Sequence, residues 1–126
     1  MNPDELSKKP LSLEREEEPE QDAIFEMANL DQRRTGINGR IYASSKQGSH
    51  GPSIKFYPNP RDQGQSVSIS IEDHPRVLAS TPGLALPQKT LEQLFEFVQK
   101  NKTVLLRYWN DNTMITDDFL DHLRKI

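Results

Sequence analysis

The 126-residue chain has no cysteine, so no disulfide can staple it and no thiolate is available as nucleophile or metal ligand. That absence suits a reducing compartment. Long apolar runs are missing too: nothing approaches the roughly 20 residues that cross a bilayer. The N-terminus is acidic where a secretory signal would be basic and then apolar. The sequence therefore reads as soluble and retained in the cytoplasm. Histidine occurs three times, and His50, His74 and His122 have neither HxH nor HxxxH spacing, so neither a metal nor a cofactor is expected. Glycines 36, 39, 48 and 51 lead into GPSIKFYP, which has the character of a strand, and this argues against a phosphate loop that opens a helix. Ser44, Ser45 and Ser49 lie near His50 without a nucleophile-elbow motif, and no catalytic residue is assigned.

What the chain does have is a stretch at residues 90–110, TLEQLFEFVQKNKTVLLRYWN, with helical apolar spacing and the only tryptophan. Leu91, Leu94, Phe95 and Val98 form a stripe that Leu105, Tyr108 and Trp109 resume after a polar interruption at residues 99–102. Pro87 and Thr90 can start this helix. Asn101 and Thr103 allow a break, giving either one helix or two that meet at an angle. A final helix is signalled by Thr116 as N-cap, Asp117 and Asp118 in its first turn, and Phe119, Leu120 and Leu123 on its apolar face.

Upstream, four short segments alternate as strands do. In residues 40–44, Ile41 and Ala43 oppose Tyr42; in residues 53–57, Ile54 and Phe56 oppose Lys55 and Tyr57. Residues 66–71 set serines against Val67, Ile69 and Ile71, the pattern of a sheet with one wet face. A weaker strand at 76–80 is bracketed by Pro75 and Pro82, which suits an edge. Residues 23–30, AIFEMANL, read as a helical turn or an extended arm, after which Gly36, Asn38 and Gly39 supply turn chemistry. The expectation is an α+β domain over residues 23–126, with a three- to four-stranded antiparallel meander packed on two or three C-terminal helices. Residues 1–22, with three prolines and many charges, are expected to form a disordered acidic tail.

Charge is unevenly distributed. Residues 1–22 carry eight acidic against three basic side chains, net −5, whereas residues 31–61 carry six basic against one acidic, net +5. The two segments are able to associate with each other, the acidic one competing with an anionic partner for the basic surface. Within the basic region, Arg40, Tyr42, Lys55 and Tyr57 share the outward parity of two adjacent strands, and His50 sits between them. These five are the candidate partner-binding residues. A basic and aromatic sheet face can hold phosphate or stack bases, and Arg and Tyr are also what protein interfaces favour.

The string MANLDQRRTGINGRIYASSKQGSHGPSIKFYP, followed by EFVQKNKTVLLRYWN and a short terminal helix, resembles a family of small uncharacterised bacterial proteins. The shared pattern is an ANL…TG opening, a loop histidine ahead of an Ile-Lys strand, and a C-terminal segment with Asn-Lys, a leucine and Tyr-Trp. The matching positions are Asn29, Gly36, His50, Lys55, Asn101, Tyr108 and Trp109. Gly51 and Pro52 after the histidine depart from it, and residues before Met27 lie outside it. The resemblance implies a bacterial, cytoplasmic α+β protein and supplies no activity.

Three functional readings follow. The first is a non-enzymatic protein-interaction or regulatory protein, such as the accessory or antitoxin-like member of a bacterial gene pair. The second is a nucleic-acid-binding protein that uses the basic hairpin 40–57. The third is a small hydrolase or nuclease centred on His50 and Lys55.

Overall fold

The computed structural model describes residues 27–46, 51–111 and 113–126. The expected acidic tail, residues 1–22, lies outside the described residues. Among the described residues five strands run in chain order: β1 (Met27–Leu30), β2 (Arg40–Ser44), β3 (Ser53–Tyr57), β4 (Val67–Ser70) and β5 (Val77–Ser80). Each pairs antiparallel with the next, giving a meander of order β1-β2-β3-β4-β5. The described residues also form three helices: a single turn, α1 (Gln32–Thr35), the long α2 (Gln88–Asn110) and the short α3 (Thr116–His122). No helix among the described residues is long and apolar enough to cross a membrane.

The α+β class and the antiparallel meander agree with the sequence expectation, and the strand count rises to five. The additional strand is β1, where Ala28 and Leu30 are buried and Met27 and Asn29 are exposed. Its alternation is hard to read in four residues because the outward position at Met27 is itself apolar. Asp31 then caps α1 by accepting from the Arg34 amide, and Gly36 closes that helix at φ 83°. Gly39, at φ 129°, lies flat on the Phe56 ring, where a Cβ would come within 2.6 Å of two ring carbons. Glycine at this turn lets β2 start directly against β3.

The inner sheet face buries Ile41, Ala43, Ile54, Phe56, Val67 and Ile69, and α2 covers it with Leu94, Phe97, Val98 and Leu105. Two details of the helix differ from expectation. Phe97 is fully buried while Phe95 is only partly covered, so the core stripe runs through 94, 97, 98, 101, 105 and 108. The helix is also continuous from Gln88 to Asn110, without a break at Asn101. Asn101 does not act as a cap: its amide donates to the Phe97 carbonyl at 3.0 Å and to the Arg124 carbonyl at 2.7 Å, and its oxygen accepts from the Arg124 amide at 2.7 Å. The polar interruption has its own partner, since Lys102 pairs with Asp73 at 3.0 Å and Gln99 donates to the Asp73 carbonyl. At the far end Tyr108 stacks on Phe119 with centroids 4.0 Å apart and shares a hydrogen bond with Thr116, locking α3 onto α2. Thr116 is the first residue of α3, and Ile115 takes the cap position expected for it.

The β4–β5 connection is held by a polar cluster. The Ser70 hydroxyl donates to the Glu72 carboxylate, which also accepts from Arg76 Nε at 3.0 Å, while the Ser70 amide donates to the Arg76 carbonyl and the Arg76 amide to the Ser70 hydroxyl. The Ser70 hydrogen bond first, and Arg76 after it, hold the Glu72 carboxyl below its ordinary value. A depressed carboxyl contributes order above its unfolded pKa and loses it as pH falls through the folded value. As pH falls through and below the ordinary carboxylate range the Ser70 and Arg76 amide resonances should shift together, and Glu72→Gln should flatten that response. An unchanged titration in Glu72→Gln would assign the transition to another group.

Candidate partner-binding face

The face of the sheet turned away from α2 is built by strand parity. Antiparallel pairing sets Arg40 opposite Tyr57 and Tyr42 opposite Lys55. The second of these pairs belongs to a row that crosses all five strands: Asn29, Tyr42, Lys55, Ser68 and Ala79. Four of the five expected residues are thus brought together on one surface. His50 lies outside the described residues.

The two tyrosines, diagonal neighbours on this face, have ring centroids 5.1 Å apart with planes inclined at 59°. Asn29 and Gln63 both reach the Tyr42 hydroxyl, at 3.3 and 3.5 Å, and so fix that ring from the β1 side and from the β3–β4 loop. Beside them Arg40 keeps its Nε buried without a hydrogen-bond partner. The guanidinium stem is therefore folded against the sheet, and its remaining nitrogens are the part of the side chain able to meet a ligand.

Around these residues the face forms a trough of about 460 Å³. Its floor carries Ser44, Ser53 and Ser68 beside Tyr42 and Tyr57, and its two sides are apolar, with Met27 from β1 and Leu78 from β5. Met27 is 47% exposed and Leu78 43%, two of the few large apolar side chains the described surface leaves open. Leu78 reaches the trough because the β4–β5 register shifts at Ser68/Ile69. The trough also reaches past the sheet to α2, for the buried Ile54 and Trp109 line it too, and the Lys46 amide donates to the Trp109 carbonyl at 2.8 Å. Among the described residues that line it none is acidic, and Lys55, exposed and without an ion pair to another described residue, is the only charged one.

The +5 region does not form one patch. Arg33 and Arg34 sit on α1, where Arg33 meets Asp31 at 3.6 Å; Lys46 follows β2, and Arg61 lies in the β3–β4 loop. Only Arg40 and Lys55 stand on the outward face of the strands. The sequence reading did not include Met27, Ser44, Ser53, Ser68, Leu78 and Trp109 in the site. Parity alone marks the three serines, but finding Met27 required β1 to be recognised as a strand, and finding Leu78 required the bulge.

A second, smaller cleft of about 230 Å³ lies between α2 and the C-terminal segment, with Val104 and Met114 between Lys100, Arg107 and Arg124. Lys100 is engaged there with the Lys125 carbonyl at 3.0 Å. Among the described residues no group of three or more His, Asp or Glu side chains is placed to hold a metal ion. Compared with known proteins, the chain matches no family model, no curated protein and no solved structure.

Proposed function

We propose that the protein is a non-enzymatic binding module whose working surface is the outward trough of the sheet, and that its partner is another protein. The observation that carries this reading is the trough itself: a continuous surface drawn from all five strands, apolar at both sides, with Lys55, unpaired among the described residues, at its centre. Surfaces that bury aromatic and apolar anchors around a few polar groups are what protein partners use. The scarcity of cations supports a protein over a nucleic acid, because Arg40 and Lys55 are the only basic residues of the described strands. The narrower reading, an accessory or antitoxin-like partner, rests on a sequence with no catalytic motif and a strongly charged N-terminal segment, and its bacterial, cytoplasmic setting on the family resemblance.

The doubly substituted Arg40→Ala, Lys55→Ala chain tests this. Neither side chain completes the core, so the variant should remain folded within about 1 kcal/mol of the parent. It should lose a protein partner that the parent retains through moderate salt. Retention of nucleic acid by the parent, falling steeply as salt rises and lost in the variant, would instead establish the nucleic-acid reading. Unchanged association of every kind in the folded variant would remove the trough from consideration.

A further inference from the structure

The trough's first apolar side is Met27, the residue at which the described chain begins, and the chain immediately ahead of it is the acidic segment. We propose that residues 14–22, EREEEPEQD, are a ligand of the trough in cis, seated across Lys55, so that a protein partner binds by displacing them. The proposal rests on the trough being a binding surface and adds its regulation.

Charge complementarity is the first support. The segment carries six acidic side chains against Arg15, net −5, and the trough has Lys55, no carboxylate among the described residues that line it, and Arg40 close by. Reach is the second. Glu20 lies seven residues ahead of Met27, a distance that extended chain covers at up to about 3.5 Å per residue, or about 25 Å. Five strands spaced about 4.8 Å apart are only about 19 Å across, so the acidic run can meet any point of the face. Tethering is the third: a segment covalently joined to the edge of its own site is present at an effective concentration near millimolar, at which a weak ammonium–carboxylate attraction suffices. Pro19 fits this mode, because contact with a sheet face is made through side chains and needs no amide from the ligand. The competing destination is the smaller basic cleft at Arg107.

The test uses the full chain and a labelled synthetic peptide of residues 12–25 as the probe. Peptide affinity is compared between the parent and the Glu16→Gln, Glu17→Gln, Glu18→Gln, Glu20→Gln chain, each with and without Lys55→Glu, with Lys55→Gln as a milder variant and Arg107→Glu as control. If the parent's trough is occupied in cis, the neutralised chain should bind the peptide about tenfold more tightly. Lys55→Glu should abolish binding and Arg107→Glu should leave it. Equal affinity for the parent and neutralised chains, still dependent on Lys55, would overturn the cis ligand and leave the trough as a binding surface. Binding that ignores Lys55, or is lost with Arg107→Glu instead, would overturn the cis ligand and count against the trough itself. Absence of peptide binding to any of the chains would overturn the cis ligand.

Discussion

Replacement of Phe97 by alanine is expected to lower stability by about 3 to 5 kcal/mol, enough to leave so small a domain largely unfolded. The ring is fully buried on the face of α2 that covers the sheet, among Leu94 and Val98 and the inward residues of the strands. Removing it deletes apolar contact on both layers and leaves a cavity that neighbouring strands, held by their ladders, cannot collapse into. Phe95, two residues away, is only partly covered, and its replacement should cost about 1 to 2 kcal/mol. Denaturant midpoints of the two variants measure the helix's rotation about its axis. Equal losses, or a larger loss at Phe95, would mean that α2 presents a different stripe to the sheet.

Asn101→Ala should be the most damaging polar substitution. The side chain is buried, and its amide joins the middle of α2 to the backbone at Arg124 in both directions, so its loss strands a donor and an acceptor on the terminal segment. About 2 to 3 kcal/mol is expected from leaving such groups without partners. The loss should have an address as well as a size. Hydrogen exchange at the Arg124 amide should rise, while amides of the central strand keep the protection that reports global unfolding. Lys102→Ala is the natural comparison: its pairing with Asp73 is at the surface and should be worth less than about 1 kcal/mol. Unaltered exchange at Arg124 in Asn101→Ala would mean that the C-terminal segment is held by other contacts, such as the hydrogen bond from the Ile126 amide to Thr35.

These two positions also mark where sequence reading ended. Strand parity in residues 40–44, 53–57 and 66–71 was legible because polar and apolar residues alternate along half-wet strands, and this set Tyr42 and Lys55 on one outward face, while their direct pairing came from the register. The helix was legible as an element but not in its rotation. Phe95 and Phe97 both fit a helical stripe, and only the position of the sheet decides between them. Asn101 was read through its propensity for caps and breaks, whereas in the fold its amide is spent on a tertiary contact 23 residues away. The trough could be half seen: its tyrosines, lysine and serines follow from parity, but its apolar sides depend on a four-residue strand and a bulge, which leave no periodic trace.

Site-specific photo-cross-linking tests the central claim, that the outward face of the sheet binds a protein. A cross-linking side chain is placed at Ser68, on the trough floor, and separately at Glu92, exposed on α2, and both chains are irradiated in cells that produce the protein natively. The account predicts a discrete protein adduct from the Ser68 position, absent when Lys55→Glu is added, and none from the Glu92 position. Adducts from Glu92 with none from Ser68 would contradict it, and would transfer the binding surface to the helical side of the fold.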